Sequence, residues 1–203
     1  DFSGMMAELE KSLNNELDFC KEGENADVFR RNFLDQDKVA VPEIRWVYTT
    51  GRVLTMEYVS GWRITQTEEM KAAGINCSDL GIRLSHAMIR QFFQDGFFHA
   101  DPHPGNLTVR PDGTIVFLDL GMVGRLSASY KRILSRLFVG IATQDSHQVV
   151  EAVADMDTMK RRVSLRHFEQ EIDRLLEQYM SLPMHDLHVG DLLAQIFQLA
   201  YVY

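Results

Sequence analysis

The run from His99 to Gly121, HADPHPGNLTVRPDGTIVFLDLG, constrains this chain more than any other stretch. Asp101 is followed five residues later by Asn106, and Asp119 comes thirteen residues after that, directly before Leu120-Gly121. Pro102 and Pro104 fix two φ angles and Gly105 frees one, which makes a rigid turn that holds Asp101 and Asn106 in place. Arg110-Pro111-Asp112-Gly113 separates two apolar runs and reads as a tight hairpin turn. Thr114 to Leu118 then form a short strand with Asp119 at its carboxyl end.

A carboxylate, an amide and a second carboxylate in this order have the spacing of a phosphotransferase catalytic loop and metal loop. Magnesium takes hard oxygen ligands in an octahedral shell and asks the protein for only one or two carboxylates. Asn106 and Asp119 meet that need. Asp101 is placed to orient a substrate hydroxyl or a water and accept its proton, because phosphoryl transfer asks mainly for positioning and charge neutralisation. The plainer alternative is a Pro-Gly loop whose Asp and Asn serve only as turn formers. That alternative needs three spacings and a following glycine to coincide.

With 203 residues and 45% hydrophobic content, the chain is long and apolar enough to bury a substantial core. Its formal charge of -8 and pI near 5.3, with no basic stripe, argue against a nucleic-acid partner. Cys20 and Cys77 are far apart and unaccompanied, so neither a disulfide framework nor a zinc site is indicated and a reducing compartment is expected. No run of eighteen apolar residues and no signal peptide occurs, so no transmembrane segment is expected in these residues. The chain starts at Asp1 rather than Met and stops mid-pattern at Tyr201-Val202-Tyr203, which predicts a fragment of a longer protein.

Residues 5 to about 33 read as one or two helices, with Leu9, Leu13, Glu16 and Cys20, then Ala26, Phe29 and Phe33, at helical intervals. Glu16 thus falls on an apolar stripe and calls for a cation. Val39 to Val47 and Arg52 to Val59 predict an antiparallel hairpin turning at Thr49-Thr50-Gly51, with Pro42 at its start. It leaves through Glu57-Tyr58-Val59-Ser60-Gly61, where backbone groups can meet a planar base. Ser78 is expected to cap a helix carrying Leu80, Leu84, Met88, Ile89 and Phe92, and the four phenylalanines at 92, 93, 97 and 98 are expected to pack in the core. From Ser127 onward only helices are expected, with caps at Ser127, Asp145 and Ser164. The last runs from about Gly190 with Leu193, Ile196, Phe197, Ala200 and Tyr201 inward. Met156, Met159, Met180 and Met184 read as core filler, and His147, His167, His185 and His188 share no metal spacing.

FFHADPHPGN, with LDLGMVGRL downstream and ELDFCKEGENADVFRRNF upstream, resembles the UbiB/AarF family of atypical kinase-like proteins, also called the ABC1 or ADCK group. The resemblance covers nearly the whole chain and is most specific at 97 to 124. It implies an α+β, protein-kinase-like fold: a partial N-lobe over 1–60, with a long helix and a β-hairpin, and a mostly helical C-lobe over 61–203. It implies ATP and Mg2+ as cofactors, Asp101 as the catalytic aspartate, Asn106 and Asp119 as metal ligands, and Glu57, Tyr58 and Val59 as the adenine-binding hinge. Glu16 then takes the helix glutamate that pairs with a strand lysine; Asp18 completes a Glu-x-Asp element and Glu22 sits in the same motif.

The strand lysine, the nucleotide-covering loop and the family's Lys-x-Gly-Gln element are expected before Asp1. The family's usual phenylalanine after the metal aspartate is Leu120 here, which keeps an apolar plug. The resemblance further implies ATPase or kinase activity tied to ubiquinone or other isoprenoid-quinone lipid metabolism, and membrane association on the cytoplasmic side through segments not present here. Two alternatives remain open: a nucleotide-binding regulatory scaffold without turnover, and a small-molecule kinase of the aminoglycoside or choline type. The run Asp119-Leu120-Gly121-Met122-Val123-Gly124 argues against the latter, which usually follows its metal aspartate with a bulky residue and another acid.

Overall fold

The computed structural model describes residues 18–156, 165–181 and 189–202, and these fall into two compact units that divide between Arg125 and Leu126. The described part of the first unit runs α1 (Phe19–Asn32), β1 (Val39–Ala40), β2 (Trp62–Arg63), α2 (Thr67–Ala72), α3 (Cys77–Arg90), β3 (Phe97–His99), β4 (Leu107–Val109), β5 (Ile115–Phe117) and β6 (Val123–Arg125). The second runs α4 (Ala128–Thr143), α5 (Ser146–Ala154), α6 (Leu165–Met180) and α7 (Val189–Val202). Among the described residues no helix is long and apolar enough to cross a membrane.

Asp18 starts α1 because its carboxylate accepts the Cys20 main-chain nitrogen at 3.1 Å, satisfying a donor the helix cannot. Glu22 lies in the first turn and Arg30 and Arg31 in the last, each on the side of the helix dipole that suits its charge. Ala26, Phe29 and Phe33 are buried as their spacing requires, and Phe29 stacks near Phe97 with ring centroids 4.8 Å apart. Leu9, Leu13 and Glu16 lie outside the described residues.

The larger sheet has the order β1-β5-β4-β2, with β1 parallel to β5 and the other pairs antiparallel. β4 and β5 form the expected hairpin: Gly113 at φ 81 closes the turn and its nitrogen donates to the Arg110 carbonyl at 2.8 Å. All six residues of this hairpin's strands are buried, which is why both runs are almost wholly apolar. β3 and β6 pair separately, with Phe97 opposite Arg125 and His99 opposite Val123.

The hairpin expected over 39–59 is present only in fragments. β1 ends at Ala40, and Pro42, which cannot donate to a ladder, lies beyond it. What remains is antiparallel contact of Ile44 with Met56 and Thr50 with Val53, and Trp46–Tyr48 coil into a 3₁₀ turn between them.

α3 is capped by Asn76, whose oxygen accepts from the nitrogens of Ser78 and Asp79, and not by Ser78 as the sequence led us to expect. Asn76 has the extended backbone a cap needs, whereas Ser78 is already inside the helix. Leu80 is buried and Leu84 and Met88 pack against the same core as expected, whereas Ile89 is exposed and Ala87 is buried on the inward side. The helix widens into a π turn over Gln91–Asp95 and stops at Gly96, φ 62, which delivers β3.

In the second unit Ser127 and Asp145 cap α4 and α5 as expected, accepting from the nitrogens of Tyr130 and Gln148. Ser164 lies outside the described residues. Leu137, Val149, Val153, Phe168, Ile172, Leu192, Ile196 and Ala200 form the core of this unit. Phe197 and Tyr201, expected inward, are exposed, and Leu192 takes the inward position instead, so the stripe of α7 is narrower than its composition implies. Met180 is likewise exposed rather than core filler.

Candidate functional site

The site is built where two ladders end. Ala100 nitrogen donates to the Met122 carbonyl at 3.0 Å, extending the β3–β6 pairing. Leu118 nitrogen donates to the Asn106 carbonyl at 2.9 Å, extending the β4–β5 pairing. The segment 100–106 is thereby tied to the segment 118–122 at both of its ends, and Asp101, Asn106 and Asp119 come together.

Within the first segment the turn is tightened by its own polar groups. The His103 nitrogen donates to the Asp101 carbonyl at 2.7 Å, the Asn106 amide donates to the same oxygen at 3.3 Å, and the Gly105 nitrogen donates to His103 Nδ1 at 3.1 Å. The Asn106 amide nitrogen is thus held, and its side-chain oxygen is the atom of the amide able to meet a cation. In the second segment Asp119 Oδ1 accepts from Gly121 nitrogen at 3.0 Å, and the Asp119 side chain lies exposed beside it. Among the described residues no three His, Cys, Asp or Glu side chains converge as a metal site. An amide, one carboxylate and substrate phosphates are, however, what magnesium asks for.

His99, which the sequence reading passed over, is the buried floor of the 100–106 turn. Its main-chain nitrogen donates to Gln91 Oε1 at 2.9 Å and its Nδ1 accepts from the Asp101 nitrogen at 3.4 Å. The rings of Phe29 and Phe117 flank it at 6.5 and 6.0 Å. Burial pushes its pKa down, against the smaller opposing pull of the Met122 backbone, Asp119 and Asp101. A neutral ring is what the bond from Asp101 requires, since a protonated Nδ1 cannot accept. What marks the histidine as a support is its burial together with the bond that its Nδ1 accepts from the Asp101 nitrogen.

α1 reaches the metal segment through two side chains. Glu22 Oε1 accepts from the Leu120 nitrogen at 3.4 Å, and Asn25 Nδ2 donates to the Leu120 carbonyl at 3.0 Å. Glu22 is half-buried, and burial followed by the neighbouring Asp119 charge pushes its carboxyl pKa up, with the Leu120 bond opposing. Asn25 was missed in the sequence; the signal was its place one helical turn after Glu22, on the same face. Asp18 serves as the helix cap, and Glu16 lies outside the described residues.

The hinge-like residues stand at the other end of β4. Glu57 accepts from Arg110 Nη2 at 2.7 Å and from the Glu43 nitrogen at 3.4 Å. Tyr58 is 89% exposed, and among the described residues no hydrogen bond engages the Val59 backbone. β2 follows against β4, Trp62 opposite Val109. Roughly 13 Å of strand separates Arg110 from Asn106.

Residues 1–153 match the model of the ABC1 atypical kinase-like domain. This chain belongs to that family. It is 33% identical over 202 residues to the uncharacterized protein sll1770 of Synechocystis, covering 99% of this chain and 34% of that one. It is 34% identical over 181 residues to the chloroplastic protein Activity of bc1 complex kinase 7 of Arabidopsis thaliana, covering 89% of this chain and 26% of that one. The chain therefore spans about a third or less of the length of these curated relatives. A solved structure of Rv3197 from Mycobacterium tuberculosis, in complex with erythromycin, superposes with TM-score 0.63 at 19% identity, covering 98% of this chain and 57% of that one. The ABC1 chain is thus α+β with a kinase-like fold.

Proposed function

We propose that this chain carries the catalytic and metal segments of a magnesium-dependent ATP site, in a protein that transfers a phosphoryl group or hydrolyses ATP. The observation that carries this reading is the double tie between the segments 100–106 and 118–122, through Ala100–Met122 and Leu118–Asn106, which gathers Asp101, Asn106 and Asp119. Magnesium, when bound, neutralises phosphate charge. Asn106 and Asp119 are the residues that would hold it.

Asp101 orients the attacking hydroxyl or water and accepts its proton. The open backbone at Val59, with Glu57 and Tyr58 beside it, takes the adenine, at the far end of β4 from Asn106. Glu22 is the carboxylate we assign to a basic side chain from the rest of the site, because it is half-buried beside Asp119, where burial and that charge disfavour its ionised form and a cation would relieve it. The sequence reading gave that role to Glu16. In this scheme residues 1–60 belong to the smaller lobe and 61–203 to the larger. Family membership supports isoprenoid-quinone lipid metabolism, at a membrane, as the setting.

The test is ATP turnover and nucleotide affinity in the full-length protein and its Asp101→Asn and Asp119→Asn variants. Asp101→Asn is expected to slow turnover by about 10²-fold or more with nucleotide affinity kept, and Asp119→Asn to weaken magnesium-dependent binding. A parent that binds Mg-ATP but turns over no faster than the Asp101 variant would leave a nucleotide-binding scaffold in place of an enzyme.

A further inference from the structure

The peptide on each side of Leu120 is gripped from α1. Its nitrogen is bound by Glu22 and its carbonyl by Asn25, while its side chain, 1% exposed, is locked in the core of the first unit. The two grips differ in kind. The Glu22 bond is long, 3.4 Å, and is made by a carboxylate whose charge is disfavoured by burial and by Asp119. The Asn25 bond is shorter, 3.0 Å, neutral, and joins residues 95 positions apart in the chain. The carbonyl of Leu120 belongs to the same rigid plane as the nitrogen of Gly121, which donates to Asp119 Oδ1 at 3.0 Å, so holding that carbonyl fixes the donor that orients the Asp119 side chain.

We infer that Asn25 is a positioning residue for the metal ligand: its amide, through the Leu120 carbonyl, holds the Asp119 segment in the orientation that binds magnesium. This rests on the function proposed above. Asn25 has this task more than Glu22, because its bond is the shorter of the two, 3.0 against 3.4 Å, and a primary amide donates irrespective of the charges around it. A bond to a main-chain carbonyl does not itself depend on which apolar side chain stands at position 120.

Two measurements on the full-length protein test this. In Asn25→Ala, amide hydrogen exchange over residues 119–122 should quicken while that of β4 and β5 stays at the parent level. The magnesium concentration for half-maximal nucleotide binding should rise roughly three- to tenfold, the weight of one lost hydrogen bond, with metal-free nucleotide affinity unchanged. Asn25→Asp, which cannot donate when ionised, should be no better than alanine, and Asn25→Gln should recover part of the metal affinity. Unchanged exchange over 119–122 overturns the inference whatever the protein binds. Equal weakening of metal-dependent and metal-free binding also overturns it, since that is what a general loss of structure does. A parent without magnesium-dependent nucleotide binding overturns the functional reading and the assigned role with it, while the exchange result still decides whether the grip exists.

Discussion

Gly61 passes so close to β4 that a Cβ placed on it would lie 2.2 Å from the carbonyl oxygen of Val109. The neighbour is backbone in the middle of a buried hairpin, so it cannot turn aside. Gly61→Ala should therefore push the 57–61 segment off the sheet, at a cost of about 2 kcal/mol or more. Thermal unfolding together with nucleotide affinity checks this. If the segment carries the adenine, affinity should fall even below the melting transition.

Gly124 makes a similar approach to a side chain: a Cβ there would stand 2.1 Å from the Phe98 ring. Phe98 is itself stacked on Phe92 at 4.3 Å, so it is not free to swing away. Gly124→Ala should destabilise the β3–β6 pair by roughly 1–3 kcal/mol, and Phe98→Leu in the same chain should return part of that. A double-mutant cycle in denaturant reads the coupling; strictly additive effects would count against the contact.

Replacing Glu22 by Gln removes a charge that burial and Asp119 oppose, while keeping an oxygen for the Leu120 nitrogen. In the absence of nucleotide and metal the variant should be more stable at pH 7, by roughly 0.5 kcal/mol after allowance for partial exposure. Differential scanning calorimetry checks the sign; a lower Tm would mean that a cation already answers Glu22.

Asp112 supplies a pH-dependent contribution away from the site. Bonds from the Thr114 nitrogen and hydroxyl, at 3.0 and 2.9 Å, and the lesser pull of Lys38 lower its pKa from 3.8 to about 2. A depressed carboxylate stabilises the fold above its unfolded value and loses that contribution as pH falls through the folded one. The parent's advantage over Asp112→Asn should therefore be full above about pH 4 and fade between about pH 4 and pH 2. Urea titrations across that range decide it; a pH-independent difference would point to lost packing.

Much of this site was readable as a string because its parts are short and local. Asp101, Asn106 and Asp119 are separated by turns that Pro102, Pro104, Gly105 and Gly113 specify on their own, and burial of every residue in β4 and β5 made those strands plain. What escaped were contacts that join distant parts of the chain. Asn25 meets Leu120 across 95 residues, and the main chain at His99 is held by Gln91 at the start of a π turn; no periodicity encodes either. Helix faces were legible to within one residue. That error moved Phe197 and Tyr201 of α7 from core to surface, because a long apolar helix offers more than one stripe that could turn inward.

β6 begins two residues after Gly121, and Ser127, the cap of α4, follows it after a single residue, Leu126. In protein kinases the stretch after the metal aspartate is long enough to hold a loop whose phosphorylation turns the enzyme on. Residues 122–126 have no such length, and most of them are committed to a strand. A covalent switch spliced in at that point has no room in this chain: Asp119 stands two residues after β5 and four before β6, as a fixed part and not a hinged one.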